Sequence, residues 1–187
     1  MAFAAAEGMT LSQCMESEPK CMENECKENI MSKLDINAAS FQLGFEKFLI
    51  GCEATEAESN GKWDRETYGE MQDYYASLMV SIILRTISAD GWVSNKEVEY
   101  LNKLFGFDYN DGELEQVFES CKELIASESF EEEIADSIRL MASFNEKLTQ
   151  AYKNLLTLVC DIVAKSDGFV TDEEKAEISH IEKLLEQ

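Results

Sequence analysis

An eight-residue phrase occurs twice in this chain, 77 residues apart. The first copy is Asp90-Gly91-Trp92-Val93-Ser94-Asn95-Lys96-Glu97, and the second is Asp167-Gly168-Phe169-Val170-Thr171-Asp172-Glu173-Glu174. Each copy follows an apolar pattern of helical period and opens another, which constrains the chain to a duplicated helix–turn–helix unit. The likeness extends upstream of the turn. Tyr75, Leu78, Met79, Ile82 and Ile83 recur at the i, i+3, i+4 spacing of a buried helix face. Tyr152, Leu155, Leu156, Val159 and Cys160 answer them at the same displacement.

The turn can be read residue by residue. Gly91 and Gly168 suit the position just past a helix end, where a positive φ is cheap only without a Cβ. Ser94 and Thr171 are expected N-caps, and Glu97 and Glu174, three residues on, complete capping boxes. Val93 with Val98 has the spacing of a hydrophobic staple. The second copy pairs Val170 with Lys175, so its staple is weaker. The helices that follow are expected to bury Leu101, Leu104 and Phe105 in one case, and Ile178, Ile181 and Leu185 in the other.

The rest of the chain is read around these units. Residues 1–37 hold the single proline, Pro19, and three of the six cysteines without steady periodicity. They are expected to form a weakly packed arm before a helical domain over residues 38–187. Phe41, Phe45, Phe48 and Leu49 predict a helix ending near Gly51, and Glu53–Asp64 reads as a loop. A helix is expected from Asp64 to Ala89. Two more follow between the units: one near Gly112–Ala126 with Leu114, Val117, Phe118, Cys121 and Ile125 inward, and one capped by Ser129 with Glu132. Asn145 marks a bend before a long helix to Ser166. The fold class is all-α, a single bundle of about six to eight helices.

Composition limits the function. The chain carries 38 acidic against 16 basic residues, a formal net of −22. Such a surface repels phosphate backbones and anionic lipid, so no nucleic acid is expected as partner, and a protein with a basic surface is. Residues 110–147 alone hold eleven acids and three bases. No apolar run approaches a membrane span, and the first residues lack the pattern of a secretory signal, so a cytoplasmic protein with no membrane insertion is expected. Cys14, Cys21 and Cys26 match no common zinc spacing and read as an incidental reduced cluster, a loose soft-metal site being the alternative. Cys121 and Cys160 read as core fillers. No phosphate loop, nucleophile elbow or zinc helix is present, and no enzyme is expected.

The turn is not an EF-hand. With Gly91 and Gly168 at loop position six, positions one and three fall on Thr86 and Ser88, then on Val163 and Lys165, and the oxygen ligands are missing. The phrase Asp-Gly-x-Val-(Ser/Thr)-x-x-Glu, twice in matching register with its helices, instead resembles the TerB family of tellurite-resistance-associated helical modules, over about residues 38–187. The resemblance implies a compact all-helical bundle and an acidic surface for a divalent cation, calcium or magnesium rather than zinc. It implies Asp90, Glu97, Asp167 and Glu174 as the metal positions, and a non-enzymatic role in a stress response with protein partners.

Two readings of those acids stand side by side. Glu97 and Glu174 are explained by capping alone. Asp90 and Asp167 fall at helix C-termini, where the macrodipole disfavours negative charge, and call for compensation by the next helix's amides or by a cation. Trp92 and Phe169 are expected to dock into the bundle, the alternative being exposed aromatics at a partner surface. His180 reads as a surface residue.

Overall fold

The computed structural model describes residues 18–91 and 93–186, with side chains from Lys33 onward apart from those of Trp92, Asp111, Glu115 and Gln187. The described residues form eight helices and no strand. They are α1 (Glu18–Glu58), α2 (Arg65–Tyr68), α3 (Met71–Ile87), α4 (Asn95–Phe105), α5 (Asp111–Ile125), α6 (Glu128–Phe144), α7 (Glu146–Ala164) and α8 (Asp172–Leu185). Residues 34–187 make one compact unit. The architecture is all-α.

Local chemistry fixes most helix starts. Ser94, Asn110, Ser127, Asn145 and Thr171 each accept a bond from an amide of the first turn, satisfying a donor that has no partner within the helix. The cap of α6 is Ser127, two residues before the expected Ser129. Its hydroxyl accepts from the Phe130 amide, and Phe130 then enters the core.

Other boundaries also differ from the sequence reading, and α1 begins at Glu18, within the stretch 1–37 read as an arm. The helix expected to stop near Gly51 continues to Glu58, because Cys52 and Thr55 are both core residues and Asn145 donates to the Thr55 hydroxyl at 3.0 Å. Gly51 ends nothing. A Cβ there would lie 2.7 Å from Leu148 Cδ1, and one at Gly44 would lie 2.8 Å from Leu155 Cδ2. Both glycines instead let α7 approach α1 closely. The single helix expected over Asp64–Ala89 is two, broken at Gly69 with φ 74°. The break serves Trp63, whose indole donates to the Gly69 carbonyl at 2.9 Å while its ring packs against Tyr68, Tyr74, Tyr75 and Phe144.

The core is centred on the two helices that precede the repeated turns. α3 packs on α7 and α8, and α4 packs on α7. Tyr75 and Tyr152 occupy equivalent positions in the two copies and meet each other. Their rings are edge-to-face at 5.4 Å, and the Tyr152 hydroxyl donates to the Tyr75 carbonyl at 3.3 Å. Met79, Ile82, Ile83, Leu156, Val159 and Cys160 are fully buried around them. At roughly 2 kcal/mol per buried large apolar side chain, this layer is the main force holding the two copies together.

Candidate functional site: the paired turns

The two turns are built alike. Gly91 and Gly168 have φ of 83° and 84°, and their amides bond back to the carbonyls of Ser88 and Lys165 at 2.9 and 3.1 Å. Both capping boxes are complete. Glu97 Oε2 accepts from the Ser94 amide at 2.6 Å, and Glu174 Oε2 accepts from the Thr171 amide at 2.7 Å. The Ser94 and Thr171 hydroxyls accept from the Glu97 and Glu174 amides in return. The capping expectation is met in both copies.

The two glutamates also meet. Glu97 is 4% exposed and Glu174 is 3% exposed, and their carboxyl groups lie within hydrogen-bonding reach of each other. Burial pushes the Glu97 carboxyl up to about 7. The bonds from Ser94 act against that rise and the neighbouring Glu174 adds to it. A second carboxyl this close in a dry setting favours a proton on Glu97 or a cation between the two.

Asp90 and Asp167 are exposed, unlike the glutamates. Helices α3 and α7 end at Ile87 and Ala164, so each aspartate sits in the turn itself. Asp167 Oδ1 accepts from the Phe169 amide at 2.7 Å. That bond holds the turn and supplies part of the compensation its position needs, from an amide within the turn rather than from the next helix. Thus the structure brings two of the four sequence-derived positions together and leaves the aspartates at the surface. Among the described residues, no group of three or more His, Cys, Asp and Glu side chains is placed to hold a metal.

Phe169 does not dock. It is 78% exposed, against the expectation of burial, because Val170 and the capping box already close the turn beneath it. Trp92 lies outside the described residues, as do the side chains of Cys14, Cys21 and Cys26. Cys160 is a core residue as expected, while Cys121 is only half-buried. Burial pushes the Cys52 and Cys160 thiols up to about 12, so neither offers a thiolate. Val117, expected inward, is exposed.

An ionic network lies beside the turns and was not foreseen. Arg85, on the last turn of α3, donates to Glu177 at 2.7 Å, to Glu131 at 2.5 Å and to the Ile125 carbonyl at 3.2 Å. Its guanidinium holds the Glu131 carboxyl below the usual range. His180, expected at the surface, is half-buried and has its Nε2 3.0 Å from the same carboxylate. Arg85, Glu177 and His180 border a cleft of about 800 Å³ with Phe118 and Lys122. Only the four-residue spacing of Glu177 and Ile181 on α8 hinted that this face points inward.

No described helix is long and apolar enough to cross a membrane. No curated protein and no solved structure matches the chain. The family model described as Tellurite resistance protein TerB matches residues 76–187, more than half of the sequence and both repeated turns. The chain belongs to the TerB family.

Proposed function

We propose that this TerB-family chain is a non-enzymatic cytoplasmic module that binds a divalent cation weakly at its paired turns and engages protein partners through its acidic surface in a stress response. The observation that carries the cation reading is the meeting of Glu97 and Glu174, buried and in reach of each other at equivalent positions of the two copies. Each keeps one oxygen on a cap amide and has a second oxygen to give. The pair fits a cation as an anionic clamp. Calcium takes six to eight oxygens and magnesium six, so water must complete the shell, and the affinity is modest. A hard oxygen pair without a thiolate or imidazole favours calcium or magnesium over zinc.

A second reading makes the chain an acidic scaffold without a metal, its turns serving only as caps. It is favoured by the absence of a third converging ligand among the described residues. Calorimetric titration of metal-free protein with Ca²⁺, Mg²⁺ and Zn²⁺ separates the two. Glu97→Gln/Glu174→Gln keeps acceptors for the caps but removes both charges. Saturable heats for Ca²⁺ or Mg²⁺ that this variant abolishes are the expected result. Heats that are absent, or unchanged in the variant, leave the caps-only reading.

A further inference from the structure

Helix α1 is apolar on two opposite sides. One side carries Leu34, Ala38, Phe41, Phe48 and Cys52 into the core. The other carries Ile36, Leu43 and Ile50, which are 64%, 56% and 66% exposed and seven residues apart. At 100° per residue these three fall within about 40° of one another, diametrically opposite the core face. Ala57 continues the line by one more heptad and is exposed, as is Ala39 beside Ile36. Isolated exposed apolar residues need no explanation, but a straight row of three large ones does. A seven-residue period is the spacing of a helix seam, with Ala39 and Ser40 one turn after Ile36 and Glu46 and Lys47 one turn after Leu43.

Charge selects the occupant. Glu46 and Glu53 fall within about 20° of each other along one edge of the row and are exposed, while Asp35 on the same edge is paired with Lys103 at 2.7 Å. Residues 35–58 hold five acids and one lysine, Lys47, in a chain of net −22. A second copy would set that same acidic edge and net charge against itself, so like charge opposes self-pairing. A helix with apolar residues at heptad spacing and Lys or Arg on its flank meets both the row and its rim. We infer that the outer face of α1, the row Ile36–Leu43–Ile50 with its rim Glu46 and Glu53, is the docking surface for a basic amphipathic helix of another protein. This rests on the partner half of the function proposed above, and identifies where that partner binds.

The test uses the full chain and two labelled synthetic helices of about three heptads with the same apolar row, one flanked by lysines and the other by glutamates. Fluorescence anisotropy measures their binding to wild type, to Leu43→Glu and to Glu46→Lys/Glu53→Lys. These positions are solvent-facing, so unchanged circular dichroism and melting are expected for the variants. The expected result is saturable binding of the basic helix alone, weakened about tenfold or more by Leu43→Glu and several-fold by the lysine pair. Leu43→Glu adds negative charge, so its loss isolates the apolar contact from simple attraction. Three results overturn the inference: no binding of the basic helix, equal binding to wild type and Leu43→Glu, or a wild-type dimer in sedimentation that Leu43→Glu dissolves. Cation heats at Glu97 and Glu174 are expected to be untouched by Leu43→Glu, so failure here and failure of the cation reading appear in different variants.

Discussion

The two copies of the turn unit share a backbone and differ in what their side chains are free to be. Where a residue meets its own counterpart, the chemistry is kept: Tyr75 faces Tyr152, and Glu97 faces Glu174. This is the contact pattern of a two-fold dimer, folded into one chain. Away from those pairings the copies part. Arg85 and Glu177, which bond to each other, correspond to Ile162 and Tyr100 in the other copy, both buried. Buried Val98 corresponds to Lys175, which pairs with Asp172 at the surface. A side chain on the axis answers to two sites at once, and one off the axis answers to one.

That comparison can be broken at equivalent positions. Leu101 is fully buried while its counterpart Ile178 is half-buried. Leu101→Ala is expected to cost about 3 kcal/mol and Ile178→Ala about half as much, measured by urea denaturation. Equal losses would show that the two second helices bear the same load. The on-axis glutamates are next in size. Because burial raises the Glu97 carboxyl from 4.5 to about 7, its favourable contribution is complete below the lower value and is lost as pH rises through the upper one. Wild type should therefore lose about 1–3 kcal/mol between pH 5 and pH 8 from this pair in metal-free buffer, and Glu97→Gln should flatten that slope. Glu174→Gln should reduce it only in part, because burial, which that change leaves in place, is the larger cause. A slope unchanged by Glu174→Gln would sever the pairing. The smallest effect concerns the caps. Ser94→Ala is expected to cost about 1 kcal/mol. Thr171→Ala should cost at least as much, since the Thr171 hydroxyl also lies 3.0 Å from Glu174 Oε2 and bonds to it. Thermal melts of the two variants side by side rank them.

Local features were legible before the fold was known. A cap, a capping box and a glycine with positive φ each depend on residues three or four apart, so the phrase around Glu97 reads correctly by itself. The encounter of Glu97 with Glu174 did not, because periodicity says which face is buried and never what it is buried against. The duplication did contain a clue: two like units that pack symmetrically bring equivalent residues together. Trp63 was hidden among polar neighbours, and its ring is core only because Gly69 breaks the helix to receive it. Gly51 misled for the opposite reason. It carried the mark of a helix end, but its missing side chain makes room for Leu148. The outer row on α1 escaped notice because the phenylalanines of the inner face already accounted for a helix.

Gly44 and Gly51 leave α7 seated directly on α1, with no side chain between the leucines of one and the backbone of the other. Helix α1 is thus a wall one helix thick, about 10 Å from its inner to its outer surface. Packed interiors do not absorb displacement, so a shift of α7, the helix that carries the second turn, would be delivered across that wall rather than lost within it. What happens at the paired turns and what is felt at Leu43 are separated by a single layer of polypeptide.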